Sequence, residues 1–350
     1  MQNIYALSKE DVQAQLKEWK VPRFRAEQIW NWLYEQGVSE FSSMNNIPKK
    51  VRMRLEGAFC IGTAAVDIEQ SSEDGTRKRL YRLPDGALIE SVLMPYRDGR
   101  RTACISSQVG CAMACRFCAT GQMGFVRQLK PEEIFEQALR YSNILKAKNE
   151  RLSNIVLMGM GEPFHNYNSV LKAIDMIRTR LGIGARRITL STVGLAPKIR
   201  KFAEEGIQVN LAISLHSTDD ESRSALMPIN KKYNIEELMD ACRYYVQKTN
   251  RRITFEWAHI AGQNDDLDEA HRLGRLLKGL ECHVNIIPLN PTDGFVGEPS
   301  FSLEPFIEVL ASYGVVATVR VRRGIDIDAG CGQLKSKKEK LIKTNQSAVD

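Results

Sequence analysis

Ser8 and Asp11 stand three residues apart ahead of Val12, Leu16 and Trp19, which predicts a capped helix with one apolar stripe. FRAEQIWNWLYEQ puts Phe24, Ile29, Trp32 and Leu33 at helical spacing, and IPKKVRMRLEGAF offers a third amphipathic stretch. Between residues 60 and 105 the period shortens. TRKRLYRLPDGALIESVLMP alternates around the turn pair Asp85–Gly86, the pattern of a β-hairpin. This change of texture sets an expected boundary at residue 90, between a helical accessory domain over 1–90 and a second unit.

From there strand and helix patterns alternate. KPEEIFEQALRYSNIL opens with Pro131 at a first helical position and aligns Ile134, Ala138, Tyr141 and Leu145 on one face. SNIVLM reads as a buried strand and NSVLKAIDMIRTRL as a helix. RRITLST, APKIRKFAEEG, VNLAISLH, IEELMDACRYYVQ, RRITFEWAHI, EAHRLGRLLKGL, CHVNIIPL, EPFIEVLASYG and VVATVRV continue the alternation. Such a series predicts α/β architecture, with βα units on a parallel sheet that is open or curved into a barrel. No internal repeat is visible.

Composition narrows the class. Hydrophobic residues are 43% and charged residues 26% of the 350, which excludes a disordered, collagen-like or coiled-coil chain. No run approaches the ~18–20 uncharged apolar residues of a membrane span. MQNIYALSKEDVQAQ lacks a basic segment followed by an apolar one, so a cytoplasmic protein is expected. The net charge of +7 is uneven: residues 17–54 carry +4 and residues 320–343 carry +5. Both runs suit either a solvated surface or phosphate contact, and a basic C-terminal tail is expected over 336–350.

The eight cysteines change the picture more. In a reducing compartment they are not a disulfide framework, so clustered ones bind metal or do chemistry. Cys104, Cys111, Cys115 and Cys118 fall within fifteen residues, and the last three form C-x3-C-x2-C. Three such thiolates can cap three irons of a [4Fe-4S] cluster and leave the fourth iron open. S-adenosylmethionine can bind that iron through its amine and carboxylate, and reduction then cleaves it to a 5′-deoxyadenosyl radical. The other reading is a structural zinc site with Cys104 as fourth ligand, but zinc sites usually add a second cysteine pair and none follows.

C-x3-C-x-aromatic-C, with Phe117 as the aromatic, resembles the signature of radical S-adenosylmethionine enzymes. FRAEQIWNWLY, CISSQVGCAMACRFCATG, VLMGMGEP, ITLSTVG, AISLHS, MPINKKYNIEEL, IIPLNP and RRGIDIDAGCGQL resemble the RlmN/Cfr family of RNA adenine methyltransferases, from roughly residue 20 to residue 335. The resemblance implies a partial (β/α) barrel over 91–335 behind the N-terminal helical domain. It implies a [4Fe-4S] cluster on Cys111, Cys115 and Cys118, with S-adenosylmethionine held by Gly161, Glu162, Ser191, Ser214, Leu215, His216 and Asn290.

In GMGEP, Gly159 and Gly161 allow close backbone approach and the Glu162 carboxylate suits a cationic amine, although GxG after a strand is more often a tight turn. His216 alone would be read as a structural histidine. The family assigns Cys331 the methyl-carrying role, Cys104 the resolving role and Glu90 the proton acceptor. Adenine ring carbons are poor nucleophiles, so the methyl passes first to a thiolate. A methylene radical then joins protein and RNA until a second thiolate frees the product. Cys60, Cys242 and Cys282 are expected to be structural.

The implied substrates are an adenosine of 23S rRNA and, as a candidate second one, an adenosine beside the tRNA anticodon. An electron donor such as flavodoxin or ferredoxin, no membrane and a monomeric state complete the expectation. Pro163 is similar to the RlmN branch, which methylates carbon 2. The Cfr branch, which methylates carbon 8, remains the alternative, as do a radical enzyme with a non-RNA substrate and a zinc-stabilised RNA-binding protein. Gly330 and Trp257 stand where RlmN proteins often carry alanine and tyrosine.

Overall fold

Ser8 and Asp11 cap each other: Asp11 N donates to Ser8 Oγ, and Ser8 N donates to the Asp11 carboxylate. They start α1 (Lys9–Glu18) in a computed structural model that describes residues 1–335. The expected basic tail over 336–350 lies outside the described residues. Before α1, the two-residue β1 (Gln2–Asn3) pairs in parallel with β2 (Phe59–Cys60), which follows α2 (Phe24–Asn31) and α3 (Lys49–Ala58). The apolar stripe of α2 departs from expectation at one residue. Ile29 and Leu33 are buried, whereas Phe24 is 54% exposed, with the Arg25 guanidinium over its ring. A π turn over Trp32–Gln36 rotates the chain so that Leu33 and Tyr34 both face the core.

An antiparallel meander follows: β3 (Ala65–Ser71), β4 (Arg77–Arg82), β5 (Leu88–Pro95) and β6 (Arg101–Cys104). Asp85–Gly86 sits in the β4–β5 turn, with Gly86 in the left-handed region. Residue 90 lies inside β5, which pairs with β4 on one side and β6 on the other, so the meander and the following unit share one sheet. A small hairpin of β7 (Gln108–Gly110) and β8 (Phe125–Gln128) then brackets the cysteine loop and α4 (Ala119–Gln122).

The βα alternation runs as read from the sequence. α5 (Pro131–Lys146) leads to β9 (Asn154–Leu157), α6 (Tyr167–Leu181), β10 (Ile188–Thr192), α7 (Ala196–Glu204) and β11 (Asn210–Ser214). After α8 (Asp220–Leu226) and α9 (Ile235–Thr249) come β12 (Ile253–His259), α10 (Leu267–Leu277), β13 (Cys282–Pro288), α11 (Leu303–Ser312) and β14 (Val316–Val319). The ten-stranded sheet has the order β14-β13-β12-β11-β10-β9-β6-β5-β4-β3, parallel from β14 through β6. Its edge strands β3 and β14 do not pair, so the curve is an incomplete barrel, the expected partial (β/α) form.

Ile134, Ala138 and Tyr141 of α5 are fully buried, as are Ile155, Ile213, Phe255 and Val284 of the sheet, so helices cover one face of a continuous core. Because the strands are parallel, their C-terminal ends and the loops after them gather on one face, where such sheets place their chemistry. No helix among the described residues is long and apolar enough to cross a membrane.

Candidate active site

At that face lies a cavity of about 940 Å³, counting its open mouth, in the size range of small-molecule sites. One wall comes from the cysteine loop. Cys111 N donates to Gly124 O at 2.8 Å, so the β7–β8 hairpin clamps the loop at its start. Gly110 is required there, because a Cβ would lie 1.9 Å from Gly124 O. Cys118 N returns to Cys115 O at 3.2 Å, and Arg116 N is held by Leu226 O at 2.9 Å. Cys115 and Cys118 line the cavity; Cys111 is buried beside them but not on its surface.

Burial pushes all three thiols up, Cys111 to about 12, and each of Cys111 and Cys115 is raised further by Cys118. Among the described residues no three Cys, His, Asp or Glu side chains could hold a single metal ion. Three thiols of one loop are the number that caps three irons of a cluster, where a structural zinc would take a fourth protein donor. Their protons would leave as metal binds.

The second wall is the GMGEP turn after β9. Gly161, at φ +103°, packs on Gln108 so tightly that a Cβ would come within 2.8 Å of its backbone nitrogen. Gln108 Oε1 in turn accepts from Glu162 N at 2.7 Å. The Glu162 carboxylate accepts from Phe164 N at 2.9 Å and Val193 N at 2.8 Å, which fixes its direction. Burial raises it to about 7, against those two amides. Each oxygen keeps lone-pair capacity for a cation in the cavity.

Ser191 of β10 and Ser214 of β11 also face the cavity, as does His216. Leu215 does not. Its side chain, one residue past the end of β11, is fully buried in the core, and its carbonyl accepts from Arg223 at 3.1 Å. His216 adopts φ +61°, and its Nδ1 accepts from Ala258 N at 2.9 Å. Burial, reinforced by Arg223, lowers it to about 3, so it is neutral with its proton on Nε2. Asn290 bridges: its Nδ2 donates to Cys331 O at 3.0 Å, while its Oδ1 accepts from Arg322 at 3.1 Å.

Cys331 belongs to a strap that crosses the cavity mouth after β14. Ala119 N donates to Gly332 O and Thr120 Oγ1 to Leu334 O, both at 2.7 Å. Cys331 is exposed and lines the cavity, whereas Cys104, at the end of β6, is buried just outside it. Burial raises Cys104 to about 12, and the neighbouring Cys331 raises it further. The Cys331 thiol is also raised by the protein around it, despite its exposed surface, and the Arg320 guanidinium opposes both shifts. Glu90, 1% exposed, lies beneath the strap rather than on the cavity, accepting from Lys335 N at 2.7 Å with Lys78 Nζ at 3.6 Å. Cys242 is fully buried, Cys282 is buried, and Cys60 is half-buried.

Sequence reasoning missed four residues of this site. Arg223, fully buried, donates to Leu215 O, Ser214 O and Val193 O, and so ties the β10 and β11 ends together. Gln108 orders Glu162. Glu256 and Arg320 meet at 3.8 Å beside the two thiols. Only Glu256 left a signal, an acid inside the apolar strand ITFEWAH.

Two family descriptions match this chain: Radical SAM superfamily over residues 105–274, and Ribosomal RNA large subunit methyltransferase N-terminal domain over residues 2–61. The Dual-specificity RNA methyltransferase RlmN 1 of Myxococcus xanthus is 49% identical over 343 residues, 97% of this chain and 95% of that protein. The chain belongs to the RlmN family. A probable RlmN of Geobacillus kaustophilus is 45% identical over 97% of this chain and 93% of its own. The crystal structure of a radical SAM methyltransferase from Sphaerobacter thermophilus superimposes with a TM-score of 0.92 at 44% identity, covering 96% of this chain and all of that one.

As an RlmN-family protein it is a radical S-adenosylmethionine RNA methyltransferase, and the family implies a [4Fe-4S] cluster and S-adenosylmethionine. The donor set fits both. Cys115 and Cys118 stand on one wall of the cavity with Cys111 buried beside them, and a buried, directed carboxylate stands on the other.

Proposed function

We propose that this protein methylates carbon 2 of an adenosine in 23S rRNA, with an adenosine of tRNA as a second substrate, through a methyl group carried on Cys331. The dual specificity in the names of its relatives points to more than one RNA. The observation that carries the cysteine roles is that Cys104 lies near enough for the charge of Cys331, 227 residues later, to act on it, and Cys331 lines the cavity that Cys115 and Cys118 also line.

Bound there, the cluster and S-adenosylmethionine supply a methyl donor and, on reduction, a 5′-deoxyadenosyl radical. In this reading Cys111, Cys115 and Cys118 hold the cluster, and Glu162, Ser191, Ser214, His216 and Asn290 surround the cofactor. Cys331 takes the methyl as a thiolate, a form that the charge of Arg320 favours. Glu90 accepts the proton lost from the adenine ring. Cys104 then attacks Cys331, forming a disulfide as the carbon–sulfur bond to the RNA breaks. Helices α1–α3, which hold the +4 stretch of residues 17–54, contact the RNA backbone, and a separate one-electron donor reduces the monomeric enzyme.

The test is nucleoside mass spectrometry of 23S rRNA and tRNA that lack the modification, after incubation with reconstituted enzyme. 2-Methyladenosine in both is expected. 8-Methyladenosine would move the protein to the other branch, and no methylated adenosine would refute the reading.

A further inference from the structure

The outer side of the cysteine loop is a surface that the methylation chemistry does not use. Ala112, Ala114 and Arg116 are exposed, and they alternate along the loop with the more buried Cys111, Met113, Cys115 and Phe117. Ala114, at φ +53°, forms the tip and borders two hollows. Phe295 and Val296 line one hollow; Met113, Pro228, Ile229, Lys231 and Lys232 line the other. Val296 is 97% exposed. Met113, Ile229 and Phe295 are the partly uncovered rim of a small core, separate from the main one, built around Cys115, Met227 and Leu289. Arg116, Lys231 and Lys232 ring this apolar floor, and none of them pairs with a carboxylate among the described residues.

We propose that this face docks the protein that reduces the cluster, an acidic carrier of single electrons bearing a flavin or an iron–sulfur group. The inference rests on the radical-enzyme reading above. A carrier seated here is separated from the thiol-bearing residues by one layer of backbone, with adjacent Cα atoms about 3.8 Å apart. Electron-transfer complexes are small, under about 1,200 Å² in total, and unpaired cations around an apolar floor steer and seat an acidic partner. A single-stranded RNA site stacks several bases on a row of rings along a longer run of cations, whereas this face has one partly covered ring, Phe295, and three cations. In the step itself the carrier loses one electron and the oxidised cluster gains it; no bond or proton changes.

The test uses cluster-loaded holoenzyme under anaerobic conditions, with a bacterial flavodoxin reduced to its hydroquinone as probe and dithionite as a small reductant. Cluster reduction is followed by loss of visible absorbance in stopped flow. With flavodoxin, the wild-type rate falls as salt rises, and the double variant Lys231→Glu, Lys232→Glu is slower by about tenfold or more. Val296→Asp is slower too, while dithionite reduces all variants within about twofold of wild type and RNA affinity stays unchanged. A flavodoxin rate that ignores both salt and charge reversal overturns the proposal. So does a charge-reversed variant that loses RNA affinity yet is reduced normally, because the face would then belong to RNA. If the double variant loads no cluster, Lys231→Gln, Lys232→Gln and the wild-type salt dependence decide. A wild-type protein that never assembles a cluster would instead refute the radical-enzyme reading itself.

Discussion

Lys335 donates its backbone N–H to Oε2 of Glu90 at 2.7 Å, joining residues 245 apart in the chain. Burial raises the Glu90 carboxyl from 4.5 to about 7, although Lys78 and the Lys335 amide pull it back. A raised carboxyl stabilises the fold fully below its unfolded value, and that stability is lost as pH climbs through the folded one. The window therefore runs from 4.5 to about 7. Glu90→Gln should remove this dependence, so chemical denaturation should show the variant gaining on wild type between these limits, by at most ~3 kcal/mol. A constant difference would contradict the buried, raised carboxyl.

The same group tests the proton step. Wild-type methylation should increase with pH toward and past 7, and Glu90→Gln should slow it by about 10²-fold or more while S-adenosylmethionine cleavage continues. Equal methylation rates in the two proteins would remove Glu90 from the chemistry.

Cys331→Ala should abolish RNA methylation, and wild-type peptide mapping should show a methyl-sized mass increment on Cys331. Cys104→Ala should still load that methyl but trap protein covalently on RNA, visible as a retarded band on denaturing gels. A Cys104→Ala enzyme that turns over freely would show that another group releases the product.

Arg320 opposes the upward shifts of Cys104 and Cys331 while pairing with Glu256 at 3.8 Å. Arg320→Met should therefore move the pH profile of Cys331 alkylation upward and slow its methylation, with Arg320→Lys lying between. An unchanged alkylation profile would make Arg320 structural only.

Gly161→Ala places a Cβ within 2.8 Å of the Gln108 backbone at φ +103°. A loss of roughly 2–4 kcal/mol is expected in thermal or chemical unfolding, together with poorer cluster loading because β7 shifts. Gly330→Ala meets only the Gln333 and Asn290 side-chain ends, and should cost under about 1 kcal/mol.

The barrel was legible because its strands and helices bury long periodic faces: the α5 stripe of Ile134, Ala138, Tyr141 and Leu145 is buried as read. The Ser8–Asp11 box and the Asp85–Gly86 turn are local, so local sequence revealed them. Phe24 was misjudged because, at helical spacing, it falls off the face that Ala26 and Ile29 bury. Leu215 came with its motif neighbours: Ser214 and His216 line the cavity on either side of it, while its own side chain packs in the core. Cys104 and Cys331 needed the family resemblance, since no spacing rule joins residues so far apart. Arg223 and Gln108 hold the site through backbone carbonyls and amides, and such partners leave no pattern in side-chain order.

The strap that carries Cys331 follows every strand of the sheet, and its bonds run back to Asp74, Ser72, Lys78 and Glu90, at separations of 245 to 254 residues. It is made after all ten strands of the sheet. The thiol that lines the cavity is thus brought there by a segment that the first strands of the sheet hold in place. A chain cut short before Gly324 would keep all ten strands and lose Cys331 together with every one of these ties.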